Sequence, residues 1–155
     1  IMLKSFIEEI IEEMSPIVFK TKNKLKFILP RDIRVIADRI QLKRVVKNLI
    51  QNAISYGEAE SPIEIRIGEV PKYIVIKVKD YGAGISPADI NKIFNKYYSA
   101  AKKFRKIGTG LGLYLALQII KAHGGELSVE SEEGEFTEFT IKLPAVTNAN
   151  LLYGE

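Results

Sequence analysis

The chain has 155 residues, 46% of them apolar, with no cysteine, a single histidine and a formal net charge of +4. That is enough for one domain with its own core. It excludes a disulfide framework, a zinc ribbon, an iron–sulfur cluster, a cysteine nucleophile and a multi-histidine metal site, and any Ser-His-Asp triad would have to use His123.

Most of the positive charge traces to Lys102-Lys103-Phe104-Arg105-Lys106, which reads either as a solvated face or as a phosphate or nucleic-acid contact. Only Phe104 interleaves this run, so a stacking platform for nucleic acid is not evident. Residues Ile1 to Met14 carry acids within an apolar pattern and no small-residue cleavage site. The longest uncharged run, Ile107 to Ile120, is too short and glycine-rich to span a bilayer. The expectation is a soluble, cytoplasmic domain without direct membrane contact, and the initial Ile-Met reads as the edge of a fragment of a longer parent.

Leu3, Ile7, Ile10, Ile11 and Met14 recur at steps of three and four and predict an amphipathic helix ending near Pro16. Leu25 to Leu29 and Arg34 to Ala37 read as short strands around a turn at Pro30 and Arg31. The strongest helical segment runs from Asp38, a plausible N-cap, to Tyr56, with Gly57 just past its end. Its apolar stripe is Leu42, Val45, Val46, Leu49, Ile50 and Ala53. Ile63, Ile65 and Ile67, and then Tyr73 to Lys79, alternate as strands on either side of a turn at Glu69 to Lys72. Pro87 predicts the start of a short helix reaching about Phe94. A polar, basic loop spans Ser99 to Ile107, and a further helix begins among the glycines at 108 to 112 and ends at Gly124-Gly125. Glu126 to Glu130 and Thr137 to Leu143 predict a pair of strands around Gly134. Strands cluster rather than alternating with helices, which favours an α+β fold: a two-layer α/β sandwich, with a mixed sheet and helices on one face.

Three segments are odd for a simple core. Asn48 and Asn52 sit four apart in the best helix, where asparagine is a poor helix former. They are either a solvated polar edge or a pair of neutral oxygen ligands for a hard cation such as magnesium. Asp80-Tyr81-Gly82-Ala83-Gly84-Ile85 follows a strand directly. It is an ordinary strand-to-helix turn, or a place where glycines let a backbone approach a ligand and the acid accepts from a ligand's amino group. A dinucleotide fingerprint fails there, because the third glycine position is Pro87. Gly108-Thr109-Gly110-Leu111-Gly112-Leu113 opens a helix and is either a flexible hinge or a cradle of amides for an anion. It is not a P-loop, since no Gly-Lys-Ser/Thr occurs in the chain. A cation pair, an acid with a glycine turn and an anion cradle suit a nucleoside triphosphate under a lid.

These residues resemble the ATP-binding catalytic domain of bacterial sensor histidine kinases, whose superfamily includes type II topoisomerases, mismatch-repair ATPases and heat-shock chaperone ATPases. Asn48 to Ala53 matches the asparagine box, Asp80 to Gly84 the first glycine box, Ile93 to Tyr98 the phenylalanine box, and Gly108 to Leu113 the second glycine box. Ala122-His123-Gly124-Gly125 and Phe139 to Pro144 also fit, so the resemblance runs from about Ile33 to Pro144.

The resemblance implies ATP and magnesium as ligands, with Asn52 as the main metal ligand and Asn48 beside it. It implies that Asp80 accepts from the adenine amino group and that Gly82 and Gly84 let the backbone near the base. Tyr56 would lie along the nucleoside and Ile85 would wall the adenine pocket. Gly108, Gly110 and Gly112, with Thr109 and Leu111 between them, would bring amides to the phosphates, and Ser99 to Ile107 would form the ATP lid. Phe94 and Tyr97 would anchor the base of the lid or face a partner domain. Two positions depart from the family pattern: Ser55 and Ser99 stand where the family often carries basic residues, and Lys103, Arg105 or Lys106 would supply the missing charge.

The implied activity is transfer of the γ-phosphoryl to a histidine on a partner helical domain and onward to an aspartate of a response regulator. A serine kinase of the anti-sigma-factor type, or an ATP-hydrolysing relative, is the alternative. Asn48 favours transfer, because an amide cannot serve as the general base that the superfamily's ATPases carry as Glu. His123, at a helix end before two glycines, is a poor acceptor, which places the acceptor elsewhere in a parent expected to be a homodimer. The isolated domain, residues 1–146 with a tail at 147–155, is expected to be a monomer.

Overall fold

A computed structural model describes residues 1–21, 23–57, 60–96 and 112–145. In chain order they form α1 (Leu3–Thr21), β1 (Lys24–Ile28), α2 (Arg39–Tyr56), β2 (Pro62–Val70), β3 (Tyr73–Asp80), α3 (Gly112–Ala122), β4 (Glu126–Glu132) and β5 (Phe136–Pro144). The strands make one sheet in the order β1-β2-β3-β5-β4. β1 and β2 are parallel and joined through α2, and the remaining pairs are antiparallel. The sheet is therefore mixed and the fold α+β, as the clustering of strands predicts.

One face of the sheet carries Ile63, Ile65, Ile76, Val78, Phe139 and Ile141, and the helices cover it with Leu3, Phe6, Ile7 and Ile10 of α1, Leu42, Val45, Leu49 and Ile50 of α2, and Ala116 and Ile120 of α3. Burying each large aliphatic side chain contributes on the order of 1.5–3 kcal/mol. The other face is polar, with Arg66, Lys77, Lys79 and Glu138.

α2 follows its predicted boundaries because every local signal agrees. Asp38 caps it, its side chain accepting from the Gln41 N–H at 3.0 Å. The Gly57 N–H closes it on the Ala53 carbonyl at 2.9 Å. Three expectations need correction. α1 does not stop near Pro16 but continues to Thr21. Pro16 removes the amide that would bond the Glu12 carbonyl, and the Ser15 hydroxyl donates to that carbonyl instead, at 2.8 Å. Val18, 8% exposed, extends the buried stripe one turn further. Arg34 to Ala37 is no strand of the sheet: it makes an isolated bridge from Arg34 to Met2, because its partner segment enters α1 at Leu3. Pro87 to Phe94 is a chain of turns, not a helix. Ser86 accepts from Asp89 and Ile90, Asp89 from Lys92, and Lys92 from Asn95, and these mostly three-residue closures do not propagate.

Glu9 of α1 pairs with Arg39 and Lys43 of α2, and Glu13 with Lys43 and Lys47. These largely exposed pairs join the two helices but add little stability.

Candidate nucleotide site

The site is built where the end of β3 meets the end of α2. Asp80 closes β3 opposite Ile63 and Thr137, which turns its side chain toward the helices. It is 4% exposed, and its Oδ1 has no hydrogen-bond partner. Burial pushes the carboxyl up to about 7, against a smaller opposing pull from the Gly82 backbone N–H. A buried acceptor without a donor is costly unless something supplies one. An exocyclic amino group is such a donor.

The glycines beside it have roles the sequence did not reveal. A Cβ on Gly82 would lie 2.4 Å from the Gly57 Cα and 2.6 Å from the Tyr56 carbonyl oxygen. Gly82 therefore lets the loop seat directly on the end of α2. Gly84 has φ +69°, and a Cβ there would lie 2.4 Å from the Glu132 carbonyl oxygen. Both glycines make room for the protein's own backbone.

The tip of the β4–β5 hairpin holds the loop from the other side. The Gly134 N–H donates to the Ala83 carbonyl at 2.7 Å. The Ile85 N–H donates to Ser131 Oγ at 2.8 Å, and that hydroxyl donates to the Phe136 carbonyl at 2.7 Å. Thr137 Oγ1 lies 3.1 Å from the same hydroxyl. Sequence reasoning missed Ser131 and Thr137. Their signal is phase: Thr137 occupies the inward position that Phe139, Ile141 and Leu143 fill further along β5.

A second clamp sits on the polar face. Tyr81 OH donates to Glu64 Oε1 at 2.6 Å, and Arg66 donates to Glu64 Oε2 through Nε at 3.1 Å and Nη2 at 2.9 Å. The Tyr81 hydroxyl, and then Arg66, hold the Glu64 carboxyl below its usual range despite its burial. Lys79 Nζ lies 5.0 Å from the Tyr81 ring centroid and 4.5 Å from that of Phe136. The residue after Asp80 is thus anchored to β2.

Asn48 and Asn52 are half-buried on α2. Asn48 Nδ2 donates to the Gly112 carbonyl at 3.3 Å, which brings the helix against the start of α3, where first-turn N–H groups lack intrahelical partners. Tyr56 and Ile85 are half-buried beside the Asp80 corner, with Ile85 packed against the core. Phe94 packs edge-on to Phe139, with centroids 6.2 Å apart at 83°, so its ring is directed to the sheet. His123 joins two helices: Nδ1 donates to the Ile119 carbonyl at 2.8 Å, and Nε2 accepts from the Asp38 N–H at 3.0 Å. Both ring nitrogens are engaged, in keeping with the expected structural place. Tyr97, Ser99, Lys103, Arg105, Lys106, Gly108, Thr109, Gly110, Leu111 and the tail from 147 lie outside the described residues.

Residues 37–147 match the family model described as histidine kinase-, DNA gyrase B-, and HSP90-like ATPase. The chain belongs to that family. Its relatives within this family include a sensor protein and histidine kinases. The sensor protein SrrB of Staphylococcus aureus is 39% identical over 109 residues, covering 69% of this chain and 19% of that protein. The chain thus spans about a fifth of that relative's length. The solved catalytic domain of the histidine kinase ThkA is 28% identical with a TM-score of 0.82, covering 94% of this chain and 93% of that one. Full-length ShkA, solved with AMPPNP, shares the fold at 23% identity with a TM-score of 0.83, over 95% of this chain and 31% of that one. The chain is accordingly an ATP-binding catalytic domain of the sensor histidine kinase type. No helix of the described residues is long and apolar enough to cross a membrane.

Proposed function

We propose that this domain binds ATP with magnesium and donates the γ-phosphoryl to a histidine on a helical dimerisation and phosphoacceptor domain of the same parent, from which it passes to an aspartate of a response regulator. The observation that carries the reading is the buried, unpartnered Oδ1 of Asp80, in a corner closed by α2, the glycine loop and the β4–β5 hairpin. An adenine amino group there satisfies the orphaned acceptor and draws the carboxyl to its ionised form.

From that corner the nucleotide extends along α2 past Tyr56 and Asn52 to Asn48. The two amide oxygens suit a hard cation, and magnesium held by Asn52 with Asn48 would neutralise charge on the phosphates. Gly108 to Gly112 offer backbone amides, and Lys103, Arg105 and Lys106 add positive charge. The acceptor imidazole nitrogen attacks γ-phosphorus in line, the bond from phosphorus to the β–γ bridging oxygen breaks, ADP leaves with that electron pair, and the ring loses its N–H proton to solvent. Such transfer needs positioning and charge neutralisation rather than a base on the protein. Asn48 agrees with this, since an amide cannot activate water. An ATP-hydrolysing or serine-directed relative would need a base that the described part of the site lacks.

Calorimetric titration with ATP and magnesium tests the adenine assignment. Asp80→Asn is expected to weaken ATP binding by roughly 10–100-fold. Unchanged affinity would remove Asp80 from the site.

A further inference from the structure

Arg44, Asn48, Gln51 and Ser55 form one stripe along α2, because steps of four, three and four residues turn about +40°, −60° and +40° around a helix. The first three line a single surface depression together with Ile40, Lys43 and Lys47. Helical side chains lean toward the N-terminus of their helix, so the Asn48 carboxamide projects over the turn that carries Arg44.

Charge along this stripe is scarce. Asn48 and Asn52 are neutral. The Ser55 hydroxyl donates to the Gln51 carbonyl at 2.9 Å, which leaves only lone pairs to face an incoming anion. Lys43 and Lys47 border the depression but are held by Glu9 and Glu13. Arg44 is exposed, and among the described residues it pairs with no carboxylate. Its planar fork can bind two phosphoryl oxygens at once.

We propose that Arg44 contacts the γ-phosphate of ATP lying along α2, as the cation at the outer end of the phosphate channel. The inference rests on the nucleotide reading above and assigns a residue to it. The adenine end is fixed at Asp80 beside Gly57, the middle at Asn52 and Asn48, and Arg44 stands one turn, about 6 Å, beyond Asn48. The proposal therefore predicts that ADP ends short of Arg44 and that ATP reaches it.

The test titrates the wild-type chain, Arg44→Gln and Arg44→Lys with ADP and with ATP, each with magnesium. Arg44→Gln is expected to weaken ATP about tenfold and ADP less than about twofold, and Arg44→Lys to recover part of the ATP loss. An exposed side chain should leave the thermal midpoint unmoved, so the effect is not one of folding. A wild type that binds both nucleotides, with an ATP-to-ADP ratio unaltered in Arg44→Gln, overturns this inference alone. A wild type that binds neither overturns the nucleotide reading and the inference with it.

Discussion

Asp80 holds a carboxyl where water scarcely reaches, and the fold bears that cost when no ligand is present. Its folded pKa stands above the unfolded value, at about 7 against 3.8, so the folded state binds the extra proton between those values. The stability linked to Asp80 is full below about pH 4 and is lost as pH rises through 7. The whole difference amounts to about 4 kcal/mol at most. Asp80→Asn has no charge to desolvate. Denaturant titrations at pH 5 and pH 8 should show the variant gaining on the wild type at the higher pH, even as it loses ATP. Equal losses for both proteins between the two pH values would count against the buried carboxyl. Tyr81 acts nearby through its bond to Glu64. Tyr81→Phe deletes a short bond to a carboxylate at a partly exposed site and should lower stability by about 1 kcal/mol. Weaker ATP binding should accompany it, because the residue after Asp80 loses its tie to β2; an unaltered ATP affinity would make that tie irrelevant to the site.

The loop from Tyr81 to Ile85 has little structure of its own and is held by three elements: the end of α2, β2 and the β4–β5 hairpin. Ser131 is the key tie on the hairpin side, accepting from the Ile85 N–H while donating to Phe136. Ser131→Ala leaves that N–H without its acceptor and should cost about 1–3 kcal/mol, with a parallel loss of ATP affinity, read by thermal melts and calorimetry. A melt unchanged by the substitution would show the tie to be idle. Elements of this kind explain what the chain's order of residues could and could not reveal. α2 was legible because cap, stripe and closing Gly57 agree within one segment. Asp80 and the asparagine pair were legible because each is out of place for its local element. The contacts of Gly82 and Gly84 were not, because Tyr56 and Glu132 reach them only after the sheet assembles. Glu64 and Tyr81 become neighbours only when β2 and β3 pair. Pro16 misled because Ser15 repairs the bond that proline removes, and Pro87 misled because a good helix start does not supply the hydrogen bonds that continue a helix.

Across the molecule, one sheet face and three helices make the core, and the site lies at the rim where α2, α3 and the ends of β3 and β5 converge. In the proposed function this rim is the floor on which the nucleotide would lie, with its outer end toward the phosphoryl acceptor. His123 is bonded through both nitrogens and serves as a joint between α2 and α3, so the proposed transfer needs an acceptor histidine outside these residues. The lack of a general base at Asn48 makes the same demand from the chemistry: bound ATP should persist until that acceptor arrives. The most direct test incubates the chain with ATP and magnesium, alone and with an added helical domain bearing a histidine. The expected result is an acid-labile phosphoryl group on the added domain and little free phosphate without it. Rapid phosphate release by the chain alone, with no label on the partner, would contradict it.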